Sequence, residues 1–371
     1  MNKSNLLIVV PDLGPGGGIP MNLRLAHELQ RRGWRVKVAA LFDRWRIVSE
    51  ELCSGLDIVI LGKSTPWNKI QLPWKIARLA KRSDIVLGGA ECSATTYGFA
   101  GSNLAGKPFV GWHHIAFHRC RQDMHPLHVK VIQGVHRRVR WLVFPSNGAR
   151  ESLQQALGNQ PEGTVWQVIE NFQPSNHLSI AKNPPDALVF SKPVVLGIGR
   201  LAKQKAFDRL IRAHAVLRRN GFDHHLVILG EGPLRQKLER EIQHLEVADS
   251  AFLLGHVDNV MDWLSHATVF ALCSRYEGFG LVLLEALSCG VPSVAMDCPA
   301  GPREILRDGE AGLLVPDGDE ADFQEAIARL LTSPELRKHY AERGRERAKY
   351  YSPERIIPKW EALLEQVMAS S

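Results

Sequence analysis

The chain contains no uninterrupted apolar run near the ~18 residues that a membrane-spanning helix needs, so no such helix is expected. It also lacks the pattern of a secretory leader. The opening MNKSNLLIVVPDLG holds only a strand-length apolar stretch that stops at Pro11. The six cysteines are scattered, with no C-x-x-C pair. That excludes a disulfide framework and a thiolate zinc site, and it suits reduced thiols in the cytosol. Internal repeats and low-complexity tracts are missing as well, which excludes solenoids and disordered arrays. The expected place is the cytoplasm, with peripheral contact at the inner face of a membrane left open.

Apolar residues make up 45% of the chain and charged residues 23%, the balance of an ordinary globular protein. At 371 residues the chain is too long for one typical domain and predicts two of about 180 residues each. The net charge of +7 is uneven: residues 1–180 carry 22 Lys/Arg against 12 Asp/Glu, and the remainder 24 against 27. Basic residues gather at 31–46, at 63–82 without a single acid, and at 119–140. A basic half suits an anionic partner such as phospholipid headgroups, a lipid diphosphate or nucleic acid, whereas evenly solvated charge is the plainer reading. No nucleic-acid motif accompanies the charge, so specific nucleic-acid binding is not expected.

Short apolar strands alternating with helical stretches predict parallel, doubly wound sheets. In the first half the strands are LLIVV (6–10), VKVAAL (36–41), DIVIL (57–61), DIVLGG (84–89), PFVGW (108–112) and WLVFPS (141–146), the last running into a helix that Ser146 or Asn147 could cap. A Pro-, Ser- and Asn-rich stretch at 172–193 is the expected linker. PVVLGIG, HLVILG, AFLLG, TVFALCS and PSVAMD form a second array, and a terminal helix follows Tyr351. The segment 67–82 mixes Trp67 and Trp74 with Lys and Arg, and a helix is expected from Pro73 on. Either an ordinary sheet-packed helix or an interfacial one fits it.

The richest stretch is RYEGFGLVLLEALSCGVP (275–292). Glu277 and Glu285 stand eight apart, about two helical turns, around a Gly278-Phe279-Gly280 loop that opens an apolar helix at Leu281. Glycine lets backbone N–H groups approach a ligand, and a helix N-terminus favours an anion, so phosphate plus hydroxyls is the natural guest. GIGRLAKQKAF (197–207) sets Arg200 and Lys205 in a turn after an apolar strand, two cations able to neutralise a diphosphate, with Lys203 read as surface charge. GPGGG (14–18) opens the first helix and admits three readings: a phosphate loop, a structural turn or a dinucleotide fingerprint with Asp43. The last is disfavoured because the spacing does not fit G-x-G-x-x-G and Pro20 follows the glycines. VGWHHIAF (110–117) brings His113 and His114 to a strand's carboxyl end, where a cleft-facing role and a structural one both remain open. The later His118, Cys120, Asp123, His125 and His128 match no common metal spacing. Asp317-Gly318-Asp319 has a D-x-D form but reads as turn chemistry.

These segments together resemble the family 4 retaining glycosyltransferases (glycosyl transferases group 1), whose E-x7-E signature matches Glu277 and Glu285. The wording CPAGPREIL (298–306) is similar to the bacterial polysaccharide and lipid-linked glycan branch. The resemblance implies a GT-B fold: two Rossmann-like α/β domains of doubly wound parallel sheet facing a cleft. It places an acceptor-side domain at 1–180 and a nucleotide-sugar domain at 185–355, with a terminal helix (356–371) crossing back to the first. It implies catalytic roles for Arg200, Lys205, His114 and Glu277. Substrate contacts fall on Gly17, Gly18, His113, Glu277, Gly278, Phe279, Gly280, Leu281 and Glu285. The implied activity moves a hexose or N-acetylhexosamine from a nucleotide sugar, UDP-linked by family habit, to a glycan or lipid-linked acceptor, without metal or other cofactor. Family members often carry Ala-Glu-Arg where this chain has Ile19-Pro20-Met21, and glycine where it has Ala206. The alternatives are a nucleotide-binding regulator with a degenerate site and a dinucleotide-dependent oxidoreductase.

Overall fold

The structure is a computed structural model that describes residues 4–14, 17–43, 50–173, 186 and 191–370, the side chain of Asp123 apart. Most of the expected linker lies outside the described residues, as do Pro15 and Gly16 of the glycine loop and Arg44 and Arg46 of the first basic cluster. The chain divides into two compact units, Met1–Phe172 with Pro353–Ser371, and Gln173–Ser352.

In the first unit β1 (Asn5–Val10), β2 (Arg35–Ala40), β3 (Asp57–Ile60), β4 (Ile85–Gly88), β5 (Phe109–Trp112), β6 (Trp141–Phe144) and β7 (Val165–Val168) form one sheet. Its order is β3-β2-β1-β4-β5-β6-β7 and every pairing is parallel. In the second unit β8 (Val194–Ile198), β9 (His225–Leu229), β10 (Ala251–Gly255), β11 (Val269–Leu272), β12 (Ser293–Asp297) and β13 (Leu313–Pro316) pair in the order β10-β9-β8-β11-β12-β13, again all parallel. Parallel pairing demands crossover helices on both faces, so the central strands are buried on both sides and are continuously apolar. The strand period of two is visible in the second unit. Val195, Leu226 and Ile228 pack into one layer of the core with Leu210 and Ile211. Their neighbours Val194, Leu196, Val227 and Leu229 enter the opposite layer with Leu283 and Leu287.

Two strands were not expected, β7 and β13. Both are four-residue edge strands with partly exposed positions, and they carry too short an apolar signal to be distinguished from loops. The helix expected from Pro73 begins at Pro66 instead. Thr65 accepts a hydrogen bond from the Asn68 N–H at 3.3 Å and Pro66 occupies the first turn, where a missing donor is harmless. Pro73 is absorbed inside that helix. Ser146 is the residue that caps the helix Asn147–Leu157.

The terminal helix Pro353–Ala369 belongs to the first unit. Its Trp360 is fully buried edge-on against Trp112, with ring centroids 4.6 Å apart. Glu361 accepts hydrogen bonds from Arg32 and from the Trp34 indole, and Lys359 pairs with Glu170 at 2.7 Å.

Several histidines are buried in the uncharged form. His136 meets the Ile132 carbonyl at 2.7 Å, yet burial still lowers its pKa to about 4. His214, between His224 at 2.9 Å and Ser250 at 3.1 Å, is lowered to about 3 for the same reason. Their unfolded counterparts titrate near ~6.5, so below that pH the unfolded chain takes up protons that the folded one refuses. Stability is therefore expected to fall as pH drops from about 6.5 toward 4. His136→Leu should flatten that dependence by up to ~3 kcal/mol, read from urea unfolding at pH 7 and pH 4.5. An unchanged pH slope in the variant would refute the assignment.

Candidate active site

A doubly wound sheet has one place where successive crossovers leave in opposite directions, and the loops there part to open a crevice at the strands' carboxyl ends. In the second unit that place lies between β8 and β11, which are hydrogen-bonded neighbours. The loop after β8 contains Arg200 and Lys205, and the loop after β11 contains Glu277. Residues 72 apart in sequence thereby meet: Lys205 Nζ lies 2.6 Å from Glu277 Oε1. Ser274 Oγ donates to the same oxygen at 2.6 Å, and the Glu277 backbone N–H donates to the Pro299 carbonyl at 3.1 Å. Glu277 is only 5% exposed, so its charge is desolvated and held by a cation and a hydroxyl. Among the described residues Oε2 has no partner, which leaves one carboxylate oxygen able to accept from a ligand.

The loops approach this closely because glycines remove side chains from their contacts. A Cβ on Gly230 would fall 2.1 Å from the Gly199 carbonyl oxygen, and one on Gly232 would fall 2.4 Å from that of Leu201. The Leu201 N–H donates to the Glu231 carbonyl at 2.9 Å across the same seam. Ala206 sits in the left-handed region at φ 49°, ψ 41° just before the helix Phe207–Arg219. A non-glycine residue there costs ~1–2 kcal/mol, the physical reason a glycine is usual at this position.

Glu277, Gly278, Phe279 and Gly280 are all buried. Gly280, at φ 97°, turns the chain into the helix Leu281–Cys289, and the Phe279 ring packs edge-on to Tyr351 at 5.4 Å. Gly301 of the CPAGP segment lies directly under the Phe279 backbone: a Cβ would sit 1.8 Å from its carbonyl oxygen. Half-buried Glu285 lies within the same helix, one turn beyond Leu281. Arg200 is exposed, and among the described residues nothing pairs with its guanidinium. Burial pushes the Cys273 thiol up to about 12 and the Cys298 thiol well above its ordinary value, so neither supplies a thiolate nucleophile at neutral pH. The D-x-D residues are engaged structurally. Asp317 pairs with buried Arg209 at 3.0 Å, and Asp319 caps the helix Glu320–Thr332.

The first unit repeats the geometry where β1 meets β4. The His114 ring lies 3.2 Å from where a Gly18 Cβ would be, so any larger residue there would press on the ring. Asn22 Nδ2 is 2.8 Å from both the Gly18 and Gly89 carbonyl oxygens and 3.2 Å from His114 Nε2. Glu91 accepts the His114 backbone N–H at 3.1 Å, and burial raises its carboxyl above the usual range. His114, tilted against Trp112 at 4.4 Å, is lowered by burial to about 3 and is neutral at physiological pH. Gly17 immediately precedes this helix start. His113 goes elsewhere: it is fully buried, stacked on Phe144 at 4.9 Å and edge-on to His136 at 4.5 Å. Adjacent residues in an extended chain point to opposite sides, so one sequence pair serves two environments. Asn22 and Glu91 escaped the sequence reading. The available signal was a carboxylate three residues beyond the end of a central strand, in DIVLGGAE.

Comparison with known proteins agrees with this geometry. The family model "Glycosyltransferase Family 4" matches residues 15–172, and "Glycosyl transferases group 1" matches residues 182–347. The amylovoran biosynthesis glycosyltransferase AmsD of Erwinia amylovora is 30% identical over 53% of this chain and 55% of its own length. The N-acetylgalactosamine-N,N'-diacetylbacillosaminyl-diphospho-undecaprenol 4-alpha-N-acetylgalactosaminyltransferase of Campylobacter jejuni is 34% identical over 58% of this chain and 57% of its own. The chain thus spans little more than half the length of these curated relatives. Anabaena Alr3699/HepE, solved in complex with UDP and glucose, superposes with a TM-score of 0.84 over 98% of this chain and 100% of its own at 18% identity, a likeness of fold. With two GT-B parallel-sheet units, each matched by its own family model, the chain belongs to the family 4 glycosyltransferases.

Proposed function

We propose that this chain is a retaining, metal-independent glycosyltransferase. It moves a hexose or N-acetylhexosamine from a UDP-sugar to a glycan or lipid-linked acceptor in the synthesis of a cell-surface polysaccharide or lipopolysaccharide. The observation that carries the reading is the Lys205–Glu277–Ser274 constellation at the β8/β11 edge, set beside a glycine-capped helix start. The names of the Erwinia and Campylobacter relatives support the acceptor class, and the UDP complex of the Anabaena protein supports the donor.

In this reading the donor diphosphate is met by the Arg200 fork, the Lys205 ammonium and the N–H end of the helix after Gly280. Glu277 holds Lys205 in place through Oε1 and receives a sugar hydroxyl on Oε2. The backbone of Gly278, Phe279, Gly280 and Leu281 lines the donor, and Glu285 accepts from the ribose. As the bond between the anomeric carbon and the phosphate oxygen breaks, negative charge develops on the diphosphate, and Arg200 and Lys205 stabilise it. The acceptor oxygen bonds to the same face of that carbon, and its proton passes to the departing phosphate oxygen. Configuration is thereby kept without a protein nucleophile. Neutral His114, with Gly17 and Gly18, meets sugar and acceptor, while Asn22 and Glu91 hold His114 in place and His113 backs it from the core. The engagement of Asp317 and Asp319 in an ion pair and a helix cap supports metal independence.

Calorimetric titration in metal-free buffer should show UDP binding that weakens at least ~10-fold in Glu285→Ala, the ~1.4 kcal/mol or more expected of a hydrogen bond to a charged group. Binding of NAD in place of UDP would overturn the reading. Arg200→Ala should lower kcat by ~100-fold or more, about 2.7 kcal/mol, with no change in Tm because the side chain is exposed. Lys205→Ala should lower both, since it strands Glu277 without its cation at a cost of about 3 kcal/mol in stability. Turnover within ~3-fold of wild type in either variant would remove these residues from the chemistry.

A further inference from the structure

The helix Pro66–Ala80 is two-sided in an unusual way. Its inner face buries Asn68, Leu72, Ile76, Ala77 and Ala80. On the outer face Trp67 is 78% exposed, Ile70 59% and Trp74 62%. These three stand at i, i+3 and i+7, which is one stripe of an α-helix. The same stripe continues at i+11 and i+14 with exposed Arg78 and Lys81. No acidic residue occurs between Asp57 and Asp84. A single exposed apolar side chain is ordinary, but a contiguous stripe of two tryptophans and an isoleucine that ends in cations is not. The neighbouring helices continue the character. Pro66–Ala80 packs on Ser93–Ala105, which packs on Pro126–His136. The second exposes Leu104, and the third exposes Leu127 and Val131, four residues apart, with exposed Lys130 between them.

We infer that this helical layer of the first unit is a docking surface for one leaflet of an anionic lipid membrane. Charge complementarity selects that occupant. Indole rings settle at the headgroup level with an apolar body inward and the N–H toward water, while Arg and Lys reach lipid phosphates. Each basic residue near such a surface adds attraction that salt screens. A second copy would bring the same cations without acids to meet them. Among the described residues no helix is long and apolar enough to cross a membrane, so the helix lies in the interface plane. The inference stands independently of the transfer reaction, because lipid binding needs no donor.

The test is co-sedimentation of the full chain with vesicles of phosphatidylcholine containing about one-third phosphatidylglycerol, against pure phosphatidylcholine. The chain should partition to the anionic vesicles, and raising the salt to ~0.5 M should weaken partition several-fold. Lipids brominated near the headgroup should quench its tryptophan emission. The triple variant Trp67→Ala/Ile70→Ala/Trp74→Ala and the double variant Arg78→Glu/Lys81→Glu should each lose ~10-fold or more in partition, with circular dichroism and Tm retained because every altered side chain is exposed. No partition of the wild-type chain, equal partition into neutral vesicles, or an unaffected triple variant would overturn the proposal. So would a wild-type dimer that the triple variant converts to monomer, which would assign the stripe to a second copy. The quenching measurement uses the unmodified chain and decides the matter even if a variant fails to fold.

Discussion

A parallel sheet that grows to both sides of its first strand must send its crossovers in opposite directions, and the gap this leaves is the constraint on which the molecule is built. It occurs twice, at β1/β4 and at β8/β11. At each gap the loops from the carboxyl ends of neighbouring strands bring together side chains 70 to 100 residues apart in sequence. Gly199, Gly230, Gly232 and Gly301 let backbone lie on backbone in the second unit, and Gly18 lets His114 lie on a helix start in the first. The chemistry-bearing groups follow from that closeness.

The two gaps treat buried polarity differently. In the second unit a buried carboxylate is held by Lys205 and Ser274, which both reach one of its oxygens. The ion pair is short and sits beside cationic, glycine-rich surroundings, an arrangement suited to a polyanionic guest. In the first unit burial favours uncharged groups: His114 and His113 are both pushed toward the neutral form, and the Glu91 carboxyl is pushed the same way. That arrangement suits hydroxyl-rich, uncharged partners, where hydrogen bonds rather than charges discriminate. The surface adds a third kind of polarity, solvated cations beside exposed tryptophans, which suits neither task.

Much of this was legible in the sequence. The continuous apolar runs announced the central strands, since a strand covered on both faces has no polar alternation to hide it. Glu277, Glu285, Arg200 and Lys205 stood out because short spacings around glycine turns carry the geometry locally. The edge strands β7 and β13 did not stand out, because a four-residue strand with one open face has almost no pattern. Thr65 and Pro66 marked the true start of their helix, but the tryptophans and Pro73 that follow masked the cap.

Fold class, family and motif residues were readable from the chain alone, because periodicity and neighbours a few positions apart carry them. The partners those residues take came from long-range packing. It sent His113 into the core and His114 to the strand edge, joined Glu91 and Asn22 to His114, paired Lys205 with Glu277, and turned Trp67 and Trp74 outward. Each of those outcomes depends on which loops meet at a sheet edge or which helix face finds a neighbour. Such contacts join distant segments, and no local spacing encodes them.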